Sequence, residues 1–292
     1  MSVLVTGAAG QLGAAIVSLF SRDHEVVGVT RRELDLADSG AIRRLVDRVR
    51  PAVIINCAAY NNVDAAQVHQ VEAMAVNALA VRALGRAARE MDATLVHYGT
   101  DFVFDGTATR PYREDDQPNP RSVYGISKLM GERFAEDAPR HYVLRVESLF
   151  GGHHRRSSVD KIVEALAAGR EAQVFVDRTV SPTYVEDVAR TTHALVARRV
   201  APGLYHCVGE GLCSWHELGT EIARLLGVPA RLVPVSMADV TLPAERPLYC
   251  ALENAKLNAL GLRMPSWQDA LARYLRDDGT PAPAPHPEPD RA

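Results

Sequence analysis

A doubly wound parallel α/β sheet with a smaller α/β lobe is the fold class this sequence predicts, on three observations. Short apolar runs alternate with helical patterns through the first half of the chain, the order that builds parallel sheets. The first of those runs opens directly onto a glycine-rich turn and a helix. Beyond about residue 150 the period changes and the pieces become shorter.

Residues 2–6 (SVLVT) form the first strand, 7–13 (GAAGQLG) the turn, and 14–21 the helix after it. Strand, glycine turn and helix in that order make a Rossmann-like dinucleotide-binding unit. Gly7 permits the tight turn, Gly10 lets the backbone approach a pyrophosphate, and Gly13 lets helix and strand pack closely. Gln11 and Leu12, between those glycines, belong to the same cofactor-binding set. Residues 25–29 (EVVGV) form the second strand and lead into Thr30-Arg31-Arg32. An acid at that strand end would pair with the ribose hydroxyls of NAD, whereas arginines suit the 2′-phosphate of NADP. NADPH is therefore the expected cofactor and NADH its alternative; a pair of solvated loop arginines is the bland reading. Asp35 and Leu36 then pass where an adenine ring would lie.

A helix over 39–49 leads through Pro51 to a third strand, 52–56, followed by Cys57-Ala58-Ala59-Tyr60. Ala58 and Ala59 are small enough for a strand end to approach a cofactor, with Tyr60 beside them; close packing alone would also use them. A long helix is expected over 68–91. It carries Asn77 on an apolar stretch, and a buried asparagine needs partners, whether in a structural network or at a cofactor. The next strand, 94–98 (TLVHY), runs into Gly99-Thr100-Asp101. Ligands bind beyond the carboxyl ends of parallel strands, so Thr100 and Asp101 face the same cleft as the glycine turn. Residues 102–122 read as a surface loop.

That loop delivers the chain to YGISK at 124–128. A tyrosine four residues ahead of a lysine puts Tyr124 and Lys128 on one helix face, about one turn apart. In that geometry the ammonium favours the phenolate, and the tyrosine exchanges a proton below its ordinary pKa of about 10. The strand 141–146 follows. After it come a helix (157–168), a strand (173–176), a crossing at Ser181-Pro182-Thr183 and a helix (184–196). A strand (204–208), a helix (214–226), a strand (231–235), a loop to Pro247 and helical segments ending near Arg276 complete the order. The expected division is a cofactor domain over 1–150 and a substrate lobe over 151–278, interleaved with the main sheet. The Pro-rich tail 279–292 has little to bury and is expected to be disordered.

Bulk properties exclude several classes. The formal net charge is −3 and no block of Lys and Arg tracks a nucleic acid; His153–Arg156 is too short a basic run to change that. Cys57, Cys207, Cys213 and Cys250 have no metal-ligand spacing, so no metal is expected and a reduced, cytoplasmic protein is the simplest reading. A strand directly after Met1 leaves no room for a signal peptide, and no apolar run reaches the length of a membrane span.

In order along the chain stand GAAGQLG at Gly7, PAVIINCAAYNNVDAA at Pro51, TDFVFDG at Thr100 and PYREDDQPNP at Pro111. YGISK at Tyr124, SPTYVEDVA at Ser181, GLYH at Gly203 and Arg246-Pro247 follow. With this set, and with GxxGxxG in place of GxGxxG, the chain resembles the dTDP-4-dehydrorhamnose reductase family of extended short-chain dehydrogenases/reductases. The resemblance implies reduction of the C4 ketone of a nucleotide-linked 6-deoxyhexose by NADPH. Tyr124 would be the general acid, Lys128 would hold the nicotinamide ribose, and Thr100 would hydrogen-bond the ketone. Asp101, Phe102 and Arg246 would contact the nucleotide sugar, and a homodimer is the assembly such folds suggest.

The pattern departs from the family at Gly99, where a serine is usual, at Asn61, at Ser148 and in the loop 151–156. Those departures fall on the substrate side. A dehydratase would need Glu where Phe102 stands, and a nucleotide-sugar epimerase would hold NAD, against Arg31 and Arg32. A non-catalytic subunit resembling the β subunit of methionine adenosyltransferase is the alternative of a different class, with Gly99 as its best support.

Overall fold

Six parallel strands build the central sheet of the computed structural model, which describes residues 1–152 and 155–277. In chain order, β1 (Ser2–Thr6) leads to α1 (Gln11–Phe20), and β2 (Glu25–Val29) to α2 (Ser39–Val49). Then β3 (Val53–Asn56) precedes α3 (Val63–Val68), α4 (Gln70–Met74), a π-helical turn (Ala75–Leu79) and α5 (Ala80–Glu90). A 3-10 turn (Asp101–Val103) follows β4 (Thr94–Thr100), ahead of α6 (Val123–Ala135) and β5 (His141–Val146). The second half begins with β6 (Leu149–Phe150), α7 (Ser158–Ala167), β7 (Ala172–Phe175), β8 (Thr179–Val180) and β9 (Thr183–Tyr184). It continues through α8 (Val185–Arg198), β10 (Gly203–His206), β11 (Cys213–Ser214) and α9 (Trp215–Leu226). The last pieces are β12 (Leu232–Val235), α10 (Ala255–Ala259) and α11 (Trp267–Asp277).

The strand order is β10-β5-β4-β3-β1-β2, so β10 from the second half completes the sheet of the first. The order reverses between β1 and β3, and the crevice beyond their carboxyl ends is where such sheets bind ligands. Successive side chains alternate faces as the two-residue strand period requires. Val3, Val5, Val53, Ile55, Val96 and Leu144 pack on one face with α1, α7 and α8. Leu4, Ile54, Leu95 and Val143 pack on the other with α2 and α5. Beneath the crevice, Thr6 Oγ1 donates to Asn56 Oδ1 (2.6 Å), and Asn56 Nδ2 lies 3.1 Å from His97 Nδ1. Burial holds His97 well below the usual imidazole range and therefore neutral. These bonds tie β1, β3 and β4 together at one level.

Three elements differ from the sequence expectation. Helix α1 starts at Gln11, not 14, because Gly10 is extended (φ −76°, ψ 168°) and caps it without a side chain. The long helix over 68–91 is four pieces beginning at Val63, where the Asn62 side chain accepts from Ala65 N–H (2.9 Å). His69 (φ −100°, ψ 58°) interrupts it, and the π-helical turn turns Asn77 into the interior. The stretch 102–122 has its own small core: Phe104 stacks on Tyr112 (4.0 Å) and both pack with Val103, Val208 and Leu252.

Candidate active site

The carboxyl ends of β1, β3, β4 and β5 converge on a cavity of about 300 Å³ whose wall includes Gly10, Ala58, Thr100, Tyr124, Lys128 and Glu147. Its cofactor side is built mostly of backbone. Gly7 has φ +67°, and a Cβ there would lie 2.7 Å from Ala58 N; only glycine accepts both the left-handed turn and that approach. A Cβ on Gly13 would meet Gly7 O at 2.1 Å. With Gly10 as cap and no side chain capping α1, the first N–H groups of that helix point into the crevice. Such an end is a phosphate site through its dipole and its unsatisfied donors. Gln11, Leu12, Ala58 and Ala59 line the cavity beside it. Arg31 and Arg32 lie exposed just past β2, and neither guanidinium has a hydrogen-bond or ion-pair partner among the described residues. The nearest acid, Glu33, folds back to accept from Thr30 N–H at 2.8 Å. These residues fit a dinucleotide with an added ribose phosphate.

Helix α6 carries Tyr124 and Lys128. Ser122 caps it by accepting from Gly125 N–H (3.2 Å), which sets Tyr124 and Lys128 on the face toward β4. Thr100, at the end of β4 and only 5% exposed, lines the cavity with Tyr124 and donates to Asp101 Oδ1 (3.0 Å). Phe102 meets the Tyr124 ring edge-on at 5.5 Å. Lys128 donates to Tyr98 O (2.5 Å), and desolvation lowers its pKa to about 8 against the opposing charge of Glu132. Thr100, Tyr124 and Lys128 thus share one pocket. One part of the sequence reading is corrected: Lys128 does not draw down the Tyr124 pKa in this arrangement. Burial drives the phenol up, with the Thr100 hydroxyl acting against it and Asp101 reinforcing it.

Gly99 has a structural reason. Glu132 of α6 and Arg145 of β5 form a buried ion pair (Arg145 Nη2 to Glu132 Oε2, 2.8 Å), and a Cβ at position 99 would lie 2.3 Å from Glu132 Oε1. The missing serine is room for that pair.

The substrate side holds residues the sequence reading did not single out. Glu147, just past β5, and Cys250, from a distant loop, place their carboxyl and thiol within 4.8 Å of the Asp101 carboxyl. Burial raises the Asp101 pKa to about 6, with Arg178, Cys250 and Thr100 opposing it. Burial and then the Asp101 charge hold Glu147 well above the usual carboxylate range. Arg178 reaches Cys250 Sγ (3.5 Å) and Pro247 O (3.2 Å), and it also lines a second cavity of about 410 Å³ with Lys161, Gln173 and Trp215. The Trp215 Nε1 is buried without a hydrogen-bond partner among the described residues. No motif spacing links these positions, which four separate segments bring together.

Other expected site residues lie elsewhere. Asn77 accepts from Tyr60 N–H (2.7 Å) and donates to Tyr60 O (3.2 Å) and Ser127 Oγ (3.0 Å). Its amide is thereby occupied fastening the segment after β3 to α6, and the Tyr60 backbone is occupied with it. Arg246 forms a two-pronged ion pair with Asp64 of α3 (2.8 Å each) rather than facing the cavity. Asp35 Oδ1 accepts from Ala37 N–H (2.9 Å), and Leu36 packs on the core face with α2. In the basic loop, Arg155 (φ 45°) and Arg156 are exposed, while His153 and His154 lie outside the described residues, as does the tail over 279–292.

Known proteins resemble this chain along nearly its whole length. The family model described as the RmlD substrate binding domain matches residues 1–279. A dTDP-4-dehydrorhamnose reductase of Streptomyces griseus is 37% identical over 295 residues, 97% of each chain. A dTDP-4-keto-6-deoxy-D-glucose reductase of Streptomyces niveus is 35% identical, covering 92% of this chain and 95% of its own. Among solved structures, the dTDP-4-dehydrorhamnose reductase of Bacillus anthracis strain Ames in complex with NADP superposes with a TM-score of 0.90 at 32% identity. That match covers 94% of this chain and 99% of the other. A glycine-built phosphate site, a Thr–Tyr–Lys constellation and matches of this extent leave one assignment: the chain belongs to the dTDP-4-dehydrorhamnose reductase family of oxidoreductases.

Proposed function

We propose that this protein reduces the C4 ketone of a dTDP-linked 4-keto-6-deoxyhexose with NADPH, in the making of a deoxysugar. The observation that carries the reading is the meeting of Thr100, Tyr124 and Lys128 in one cavity with the open N-terminus of α1. Bound NADPH supplies the hydride. Tyr124 donates the phenolic proton to the carbonyl oxygen as it becomes an alkoxide. Thr100 hydrogen-bonds that oxygen and holds the phenol in line. Lys128, anchored on Tyr98 O, positions the nicotinamide ribose. Arg31 is the residue that selects the phosphorylated ribose, which makes NADPH the preferred cofactor over NADH.

The nucleotide occupies the second cavity, where Arg178 and Lys161 supply positive charge for a diphosphate and Trp215 offers an indole face and an unused N–H. Residues 151–278 thereby act mainly as the substrate lobe. A homodimer is supported by the exposed apolar side chains of Val68, Val71, Leu79, Ile126 and Met130 on neighbouring helical segments, which sedimentation equilibrium tests. No described helix is long and apolar enough to cross a membrane. The four free thiols support a cytoplasmic setting.

The test is NADPH consumption on addition of dTDP-4-keto-6-deoxyglucose, with and without a C3,C5-epimerase. Consumption that requires the epimerase gives a rhamnose-type substrate, and consumption without it gives the unepimerised sugar. No consumption under either condition, with NADPH still bound, contradicts the reading.

A further inference from the structure

Glu147 has a feature that the reduction as described does not use. Its side chain is 2% exposed and borders the same cavity as Thr100 and Tyr124. Oε2 accepts from Ser181 N–H at 2.7 Å, which fixes the carboxyl plane. Oε1 has no hydrogen-bond partner among the described residues; the neighbouring Ser148 hydroxyl favours the ionised carboxyl without meeting that oxygen in hydrogen-bond geometry. Buried polar atoms are nearly always paired, and one left unmet beside a ligand cavity marks where a ligand group belongs. Ser148, with its left-handed backbone (φ 43°), turns the chain just after Glu147 as it leaves β5.

Two occupants compete for that oxygen. The Asp101, Glu147 and Cys250 atoms are close enough together to hold a metal ion. However, Arg178 lies against this cluster with its guanidinium on Cys250 Sγ, so a cation there would face a fixed positive charge. Asp101 is already bonded to Thr100. A neutral hydrogen-bonding group meets neither obstacle, and the raised pKa of Glu147 makes its carboxyl able to donate as well as accept.

Building on the reading above, we infer that Glu147 is a specificity-determining residue whose free Oε1 hydrogen-bonds a ring hydroxyl of the sugar held against Thr100 and Tyr124. A site built to bond a hydroxyl rejects an analogue lacking it far more strongly than an apolar pocket rejects an added group.

The experiment is calorimetric binding to the NADP-loaded protein of dTDP and of a dTDP-linked 6-deoxyhexose, with native protein, Glu147→Met and Glu147→Gln. Both substitutions keep the length of the side chain. Glu147→Met is expected to weaken the sugar nucleotide about 10–100-fold, the range of one strong buried hydrogen bond, while dTDP changes by less than about twofold. Glu147→Gln retains an acceptor and stays within about threefold of native. An analogue lacking the bonded hydroxyl binds native and Glu147→Met alike. Equal losses for dTDP and the sugar nucleotide, or no loss in Glu147→Met, overturns the inference and leaves the reductase reading standing. Native protein that binds neither compound overturns both.

Discussion

The two walls of the cavity are made differently. On the cofactor wall, consecutive residues do the work: Gly7, Gly10 and Gly13 shape the turn, and the donors are backbone N–H groups at the start of α1. On the substrate wall, Asp101 and Glu147 line the cavity with Cys250 and Arg178 behind them, and the four arrive from separate segments and act through buried side chains. The first wall tolerates almost no added atom but carries no burial of charge. The second wall holds carboxyls whose ionisation burial suppresses, because they are taken out of water beside one another. A shared cofactor needs only the first design, whereas choosing one sugar among many needs the second.

The largest expected effect tests whether Gly99 belongs to this scheme or marks an eroded site. Gly99→Ser forces a Cβ onto Glu132 Oε1 and disturbs the buried Glu132–Arg145 pair. It is expected to lower unfolding free energy by about 2–4 kcal/mol in urea titration and not to raise activity. A gain in turnover without loss of stability would instead support the reading of this chain as a weakened, regulatory relative.

A smaller effect sharpens the cofactor wall. Arg31→Ala is expected to raise the KM for NADPH about tenfold or more while leaving that for NADH nearly unchanged, in steady-state titrations. An equal rise for both cofactors would remove Arg31 from the recognition of the extra phosphate.

The smallest effect concerns the substrate wall alone. Asp101 has its folded pKa raised to about 6, above the ordinary 3.8. Between those values the folded chain keeps a proton that the unfolded chain has released, so stability falls as pH rises from about 4 to about 6. Below and above that window Asp101 adds no further slope. Asp101→Asn removes this contribution, and its Tm relative to native is expected to climb across the window and then level off. A constant difference would show that burial does not hold the proton there.

Much of the fold was legible in the sequence because strand and helix periods, glycine turns and the Tyr124–Lys128 spacing are local. The breaks were not. His69 carries no proline or glycine to announce an interruption, and the π-helical turn follows from packing Asn77 against Tyr60 and Ser127. Arg246 illustrates the opposite failure, since its position in a motif says nothing about Asp64, which lies 182 positions away in the chain and pairs with it. Glu147 was invisible for the same reason: nothing in the run Arg145–Phe150 tells that its carboxyl will be buried against Asp101.

Transfer of a deuteride tests the central claim most directly. Native protein would be given NADPH carrying deuterium at the transferable position, together with the dTDP-linked ketosugar, and the product's mass and C4 label read beside those from Tyr124→Phe. The account predicts one deuterium on the C4 carbinol for native protein, and product formation at least about a hundredfold slower without the phenol. Unlabelled product, or oxidised cofactor that does not accumulate while the sugar changes, would contradict a net reduction at this site.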